Sequence, residues 1–378
     1  MDTSFPLGLT FDDILLLPGF ADFSRSDINL KTRLTRNIDL AMPLVSSPMD
    51  TVTESALAIS LAQLGGIGII HRNLSVADQV EEVRKVVQQK LLVGAAVGAS
   101  KGFEERVEAL IKENVSVLVV DSAHGYSTQV IEAVKYIKSH FPEMDVIAGN
   151  IATGDGAKAL IEAGADALRV GMGPGAICTT RIISGMGVPQ VTALIETLRE
   201  AKKSDVPVIA DGGIKYSGDM VKALALGADT VMMGSFFAST EEAPGEKVHL
   251  AREHVPSRFK SILTEEKDTY TFKTYRGMGS VGAMKHGADI KSEDEFHGKD
   301  YSDRVLVAEG VEGLVPVRGS VKQLVEQALG GVKSGLYYVG AKDFEECREK
   351  AKFIQITQAS LSESHPHDIL ITNPGENY

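Results

Sequence analysis

The sequence predicts an α/β protein built as a closed (β/α)8 TIM barrel, with a long flap insertion after the eighth strand and a C-terminal tail. Apolar runs that suit strands alternate with amphipathic segments that suit helices from residue 43 to residue 234. Several strand-like runs are continuously apolar, which is typical of parallel strands covered on both faces. Eight such units in a row favour a closed barrel over an open doubly wound sheet, and the first βα turn lacks a dinucleotide-binding G-x-G-x-x-G motif.

The strands and helices can be placed in order along the chain. The eight predicted strands cover residues 43–46, 67–70, 91–97, 116–121, 145–149, 167–170, 207–211 and 230–234. The segments between them predict helices, such as residues 54–64, which end at two glycines. From about 240 to 319 the periodicity is lost, and we expect an irregular active-site flap there. A helical segment at 321–329 and a mixed tail follow, so residues 1–378 are interpreted as one catalytic barrel domain.

The amino-acid composition argues against some classes of binding partner. The chain of 378 residues has 39 basic and 51 acidic side chains and a net charge of -12, which argues against general nucleic-acid or anionic-membrane binding. Its two cysteines, Cys178 and Cys347, are far apart, which indicates a reducing compartment rather than a disulfide framework. Neither a signal peptide nor an apolar run of transmembrane length is evident. We therefore expect a soluble cytoplasmic protein.

A glycine-rich loop at residues 171–181 is the strongest functional signal. In (β/α)8 barrels the catalytic groups lie at the C-terminal ends of the strands, and this loop follows the sixth predicted strand. Three glycines in five residues allow close approach of the backbone to a ligand or ion. The loop presents Cys178, a candidate nucleophile. The alternative, a tight turn with an incidental cysteine, is equally compatible with the loop alone.

Other strand ends carry polar residues. Asp121 and Asp211 end two strongly apolar strands and are either functional carboxylates or helix N-caps. Glycine turns at 211–213 and 234–235 follow the seventh and eighth strands, where barrels commonly bind phosphate, so a phosphorylated substrate is favoured over two merely tight turns. No His, Cys or Glu spacing is typical of a zinc site.

Five segments then carry a resemblance to a known family. They are SSPMDTV at 46–52, GPGAICTTR at 173–181, ADGG at 210–213, VMMGS at 231–235 and YRGMGS at 275–280. With them the chain resembles the inosine monophosphate dehydrogenase and guanosine monophosphate reductase family, from Leu9 to Asp368. The segments at 121–125 and 275–280 are similar to the dehydrogenase branch.

The resemblance implies NAD-dependent oxidation of inosine 5'-monophosphate (IMP) to xanthosine 5'-monophosphate, the committed step of guanine nucleotide synthesis. By the same resemblance, the Cys178 thiolate attacks C2 of the purine, a hydride passes to NAD, and water hydrolyses the covalent adduct. Thr180 would orient the reacting groups, and Arg304, on a mobile flap, would help to activate water.

The family pattern also implies binding residues. For the nucleotide these are Ser47, Met49, Ala176, Asp211, Gly212, Gly213, Met232, Gly234, Ser235, Tyr275, Gly277, Met278, Gly279 and Glu309, the last of which can also relay protons. On the nicotinamide side they are Asp121, Ser122, Asn150, Gly171 and Gly173. A monovalent cation, usually K⁺, would be bound by Gly173, Gly175 and Cys178 together with Glu363, Ser364 and His365 of a neighbouring subunit in a homotetramer.

Three positions depart from the family pattern. Most dehydrogenases of the family carry an inserted pair of regulatory CBS modules, and no insertion is present near 86–91. Val305 follows Arg304 where a tyrosine is usual, and the segment from there to Glu309 is short. Ala176 stands where a serine often contacts the phosphate. Two alternatives therefore remain, an NADPH-dependent reductase that deaminates guanosine monophosphate (GMP) to IMP and a nucleotide-binding homologue with low activity.

Overall fold

Short elements precede the barrel. The computed structural model describes residues 5–263, 267–290, 307–369 and 371. Its first three strands are β1 (Ile14–Leu16), β2 (Thr32–Arg33) and β3 (Asp39–Leu40), of which β2 and β3 form a small antiparallel pair.

Eight parallel strands then close into a barrel, as the sequence predicts. They are β4 (Leu44–Ser46), β5 (Ile67–Ile70), β6 (Val93–Val97), β7 (Val117–Asp121), β8 (Val146–Ile151), β9 (Ala167–Val170), β10 (Val208–Asp211) and β11 (Thr230–Met233). Each strand pairs with the next, and β11 pairs in parallel with β4 to complete the closure. The predicted boundaries differ from the observed ones by no more than two residues.

Helices cover the outside of the barrel. They are α1 (Ser55–Gln63), α2 (Val76–Val87), α3 (Phe103–Lys112), α4 (Thr128–His140), α5 (Gly154–Glu162), α7 (Gln190–Ala201) and α8 (Ser217–Leu226). Two short helices, α6 (Thr180–Ile183) and α9 (Ser235–Ala238), lie in the loops after β9 and β11. The helix predicted at 321–329 is longer and becomes α11 (Val321–Val339), which packs on α8 and α1. Only residues 88–92 separate α2 from β6, so the place where CBS modules are usually inserted is a short connection.

The core has two layers, which explains the continuously apolar strands. One buried cluster fills the barrel interior and includes Val45, Ile69, Val119 and Ile209. A larger cluster lies between the strands and the helices. Because successive side chains of a strand point to opposite faces, each strand must be apolar on both.

Two Gly-Ala-Asp segments close the N-terminal end of the barrel in the same way. Asp166 and Asp229 each precede a barrel strand, and each carboxylate accepts a hydrogen bond from the first backbone N–H of the neighbouring strand. The distances are 2.9 Å from Val146 N to Asp166 Oδ2 and 2.9 Å from Val208 N to Asp229 Oδ2. These carboxylates stabilise the face of the barrel opposite to the candidate site.

The prediction of an irregular region from 240 to 319 was wrong for much of its length. A three-stranded antiparallel sheet is present, formed by β12 (Lys247–Ala251), β13 (Thr269–Arg276) and β14 (Glu312–Pro316), together with α10 (Val281–Asp289). Threonines and aromatic residues are concentrated in β13, and such residues favour strands. Arg304 and Val305 lie outside the described residues.

The C-terminal part returns to the barrel wall. It contains α12 (Phe344–Lys350), β15 (Phe353–Gln355) and α13 (Gln358–Glu363), and β15 pairs antiparallel with β1. None of the helices in the described part of the chain combines the length and the apolar composition that crossing a membrane requires.

A buried lysine fastens the three-stranded sheet to the barrel. The Lys273 side chain on β13 is 1% exposed, and its ammonium group donates to the backbone carbonyl oxygens of Thr240 at 2.9 Å and Glu241 at 2.8 Å, and also to that of Ala243. An ammonium group has three N–H donors, so all three find an acceptor here. The strand that carries Tyr275 is thereby held against the segment that follows the eighth barrel strand.

Candidate active site

A cavity of about 630 Å³ opens at the C-terminal end of the barrel. This volume lies within the usual range for small-molecule sites. The cavity brings together every predicted nucleotide-side and nicotinamide-side residue with Cys178 and Thr180. Their individual roles stay predictions. Of the predicted cation ligands, Gly173, Gly175 and Cys178 line the cavity, whereas Glu363, Ser364 and His365 lie at and just after the end of α13.

The cysteine loop (residues 171–181) is packed closely against the end of β10. Gly171 has φ of 154°, and a Cβ atom at this position would lie 2.0 Å from the carbonyl oxygen of Asp211. Only glycine allows so close an approach. Beyond the sulfur, the Arg181 guanidinium donates to the carbonyl of Val188 at 2.8 Å. The loop is therefore held on both sides of Cys178.

The Cys178 thiol begins a chain of hydrogen bonds. Its Sγ donates to Thr180 Oγ1 at 3.2 Å, and Thr180 Oγ1 donates to Glu309 Oε2 at 3.0 Å. The backbone fixes this arrangement, because Thr179 N donates to the carbonyl of Glu309 at 3.1 Å. A half-buried thiol that lines the cavity and is linked to a carboxylate favours the nucleophile over the incidental cysteine.

The second cysteine has a contrasting environment. Cys347 is fully buried in the core, and burial raises the pKa of its thiol to about 11. Both cysteines are free thiols, as the sequence predicts. Because the thiolate is the reactive form, Cys347 is a structural residue.

Asp121 and Asp211 are joined by an arginine. Arg169 Nε donates to Asp211 Oδ2 at 2.9 Å, and Arg169 Nη1 donates to Asp121 Oδ1. Asn150 Nδ2 also donates to Asp211 Oδ2, at 2.8 Å. The helices that follow begin several residues later, at Thr128 and Ser217, so the helix N-cap alternative is wrong for both carboxylates.

The charge of Arg169 is set by its surroundings. Burial opposes the charged guanidinium, but the nearby carboxylates of Asp211 and Asp121 outweigh it and raise the pKa of Arg169 above its usual value. Arg169 therefore remains a cation between two carboxylates.

Arg169 and Arg72 also line the cavity, and sequence reasoning assigned a role to neither. Arg169 is the one charged residue in the apolar run 167–170 and shares a strand face with Ala167, whose side chain belongs to the barrel interior. A charged side chain that points into the barrel near the end of a strand indicates a functional site. Arg72 Nη2 donates to the Asp121 carbonyl at 3.3 Å, a contact with no signal in the local sequence.

The two glycine turns have the backbone that the sequence predicts for close ligand approach. Gly212 and Gly213 have φ of 87° and 78°, the left-handed region that side chains disfavour. At Gly234 a Cβ atom would lie 2.6 Å from Tyr275 Oη and 3.1 Å from Met49 Sδ. Burial raises the pKa of Tyr275, so its hydroxyl stays protonated and can donate a hydrogen bond.

Comparison with known proteins identifies the family. The model of the IMP dehydrogenase / GMP reductase domain matches residues 8–367. The chain belongs to this family. Among curated IMP dehydrogenases, that of Borreliella burgdorferi is 42% identical over 411 residues, covering 96% of this chain and 97% of the relative. That of Cryptosporidium parvum is 42% identical over 414 residues, covering 98% of each chain.

Longer relatives match over the whole chain as well. The IMP dehydrogenase of Aquifex aeolicus is 38% identical over an alignment of 499 residues that covers 98% of this chain and 97% of the relative. The alignment with the Borreliella burgdorferi enzyme covers similar shares of both chains but is only 411 residues long. Some members of the family are therefore about as long as this chain and match it over nearly its whole length.

Gly234→Ala should weaken binding of the nucleotide roughly tenfold, because overpacking costs about 1–3 kcal/mol and here pushes the Tyr275 hydroxyl and Met49 into the cavity. Isothermal titration calorimetry with IMP measures the effect. Gly218→Ala is the control, because a Cβ atom at that glycine meets nothing within 4 Å. Equal affinities for both variants would contradict the assignment of Gly234 to the nucleotide site.

Proposed function

We propose that this chain is an oxidoreductase that converts IMP to xanthosine 5'-monophosphate in guanine nucleotide synthesis, with NAD as the hydride acceptor. The observation that carries the proposal is the position of the Cys178 sulfur. It lines one cavity with the glycine turns after the last two barrel strands and with Asp121 and Asn150 on the other side. A nucleotide anchored by its phosphate at those turns presents its base toward the sulfur.

Contacts are proposed for the phosphate and for the ribose of the nucleotide. The backbone N–H groups at Gly234 and Ser235 and the Gly212–Gly213 turn bind the phosphate, as is common after the last two strands of such barrels. The Asp211 carboxylate, oriented by Arg169 and Asn150, accepts from the ribose hydroxyls. Ala176 supplies no hydroxyl, which costs about 1 kcal/mol of binding relative to a serine.

The hydrogen-bonded chain prepares the nucleophile. The thiol proton passes through Thr180 toward the Glu309 carboxylate, and the Cys178 sulfur forms a bond to C2 of the purine. NAD, held by Asp121, Ser122 and Asn150, would supply the acceptor for the hydride that leaves C2. Water then adds at C2, the carbon–sulfur bond breaks, and the sulfur recovers a proton as xanthosine 5'-monophosphate leaves. We assign activation of that water to Arg304, which lies outside the described residues.

The residues on the far side of the cavity suit a nicotinamide group. Asp121, Ser122 and Asn150 place a carboxylate, a hydroxyl and an amide where a carboxamide or ribose can hydrogen-bond. Gly171 and Gly173 keep the adjoining wall free of side chains. The cavity continues from Cys178 to Arg72, so space exists beyond the purine.

We propose a K⁺ site and a homotetramer together. The carbonyl oxygens of Gly173, Gly175 and Cys178 would be the ligands from one subunit, and Glu363, Ser364 and His365 those from its neighbour. Gly175 O already accepts from Cys178 N at 3.1 Å and keeps a second lone pair for an ion. Exposed apolar side chains near the loop, Ile182 at 82% and Met186 at 61%, support burial against another copy.

The chain as a whole is proposed to be one catalytic domain without CBS modules. The short connection between α2 and β6 supports this view. A cytoplasmic location is proposed, since both cysteines are free thiols. The proposed partners are small molecules and further copies of this chain.

Two assays test the function. Purified protein with IMP and NAD should produce a rise in nicotinamide fluorescence, whereas GMP with NADPH should produce no change. A fall in fluorescence with GMP and NADPH would instead identify the reductase, which the relatives do not favour. A flat signal in both assays would indicate a nucleotide-binding homologue and contradict the proposal.

A further inference from the structure

An ion pair that the proposed chemistry does not use connects two walls of the cavity. Ser47, Pro48 and Met49 form one wall, and Asp50 follows them directly in the chain. Tyr275 and residues 277–279 form another wall, and Arg276 lies within that run without lining the cavity. The Arg276 guanidinium reaches Asp50 across 226 positions of sequence.

The geometry of this pair is tight. Arg276 Nη2 lies 2.6 Å from Asp50 Oδ2, and Arg276 Nε lies 3.1 Å from Oδ1 and 3.0 Å from Oδ2. The Asp50 side chain is only 4% exposed and that of Arg276 is 26% exposed. Hydrogen bonding to Asp50 raises the pKa of Arg276. A bidentate pair of this kind fixes the orientation of both partners as well as their separation.

The pair is part of a larger junction. Asn73 Nδ2 donates to Asp50 Oδ2 at 2.7 Å and to the carbonyl of Ala283, in the first turn of α10, at 3.2 Å. The backbone N–H of Arg276 donates to Thr51 Oγ1 at 3.2 Å. Three segments that are distant in sequence therefore meet at one carboxylate, directly behind the nucleotide site.

We propose that Asp50 and Arg276 are positioning residues, whose ion pair sets the separation between the Ser47–Met49 wall and the Tyr275–Gly279 wall and thereby the affinity for IMP. This inference rests on the proposed function, because the nucleotide is its ligand. Side chains alternate along β13, so Tyr275 faces the cavity while Arg276 faces Asp50. A shift at Arg276 is therefore passed on to Tyr275, and coupling between residues of one hydrogen-bonded network can change affinity by roughly tenfold to a hundredfold.

The test compares this pair with a matched pair at the other end of the barrel. Arg348 Nη2 lies 3.0 Å from Asp229 Oδ1, with exposures of 27% and 8% that resemble those of Arg276 and Asp50. Isothermal titration calorimetry with IMP and thermal melting are measured for the wild type, Asp50→Asn, Arg276→Gln, the double variant and Arg348→Gln. Arg276→Lys is added as a milder change that retains the charge but loses the bidentate geometry.

The expected result separates positioning from general stability. Asp50→Asn and Arg276→Gln should each raise the Kd for IMP roughly tenfold to a hundredfold, and the double variant should be no worse than either single one. Arg276→Lys should be intermediate, and Arg348→Gln should lower the melting temperature with the Kd unchanged. With wild-type binding intact, an unchanged Kd in Asp50→Asn and Arg276→Gln, additive losses in the double variant, or an equal loss in Arg348→Gln would each overturn the inference. Absence of IMP binding to the wild type would overturn the proposed function, and the inference with it.

Discussion

Cys178→Ala is expected to abolish turnover, with a loss on the order of 10⁴-fold or more, because it removes the sulfur that forms the bond to C2. The expected loss rests on the position of Cys178 in the cavity and its hydrogen bond to Thr180. Mass spectrometry of acid-quenched protein, incubated with IMP and NAD, should detect a nucleotide adduct on the wild type and none on the variant.

The second cysteine provides the control for this variant. Cys347→Ala removes a thiol that is fully buried and whose pKa is raised to about 11, so it should lower stability slightly and leave the adduct and the turnover intact. Iodoacetamide should modify Cys178 first, and IMP should protect it. Turnover retained by Cys178→Ala, or an adduct on Cys347, would contradict the assignment of the nucleophile.

Arg169→Met is expected to lower the free energy of unfolding by about 3 kcal/mol, because Asp211 loses its cation while Asp121 keeps Arg72, whose Nε lies 3.6 Å from Asp121 Oδ2. The Arg169 side chain is only 9% exposed, and those of Asp121 and Asp211 are 17% and 14% exposed, so water screens them little. IMP binding should weaken as well, since Asp211 is then held by Asn150 alone among the described residues. Urea unfolding and calorimetry measure the two effects.

An exposed pair and a second substitution complete this experiment. Arg199→Met breaks a surface pair whose side chains are 64% and 43% exposed, and it should change stability by less than about 1 kcal/mol. Adding Asp121→Asn to Arg169→Met removes one of the facing charges and should recover part of the lost stability. If Arg169→Met unfolds at the same urea concentration as the wild type, the view of Arg169 as an essential shared cation is wrong.

Local patterns were enough to predict the barrel. Each strand of the (β/α)8 unit is a short apolar run, and the barrel buries both of its faces, so the run itself carries the information. The region from 240 to 319 was harder, because its sheet is small and a charged residue, Lys273, occupies a buried position of the central strand. The strand at Thr269–Arg276 nevertheless carries the threonines and aromatic residues typical of a strand, and that signal was overlooked.

Site residues within a family motif could be predicted from the sequence. Residues that only the tertiary structure brings together could not. Cys178 and the glycine turns stand in short recognisable segments. The contact between Thr180 and Glu309 joins residues 129 positions apart, and no local pattern records it. Predicting that Arg169 lines the site requires the strand register, because the register decides whether its side chain points into the barrel or toward the helices.

The lysine held by three carbonyl oxygens has a consequence for how the protein responds to its solvent. The Lys273 ammonium is the counterpart of a bound monovalent cation, but it is attached to the chain and cannot be diluted away or exchanged. The wall behind Tyr275 should therefore stay assembled in buffers without potassium, in contrast to the cysteine loop, for which we propose a K⁺ site. Removal of K⁺ is then expected to slow the chemistry at Cys178 without releasing the nucleotide.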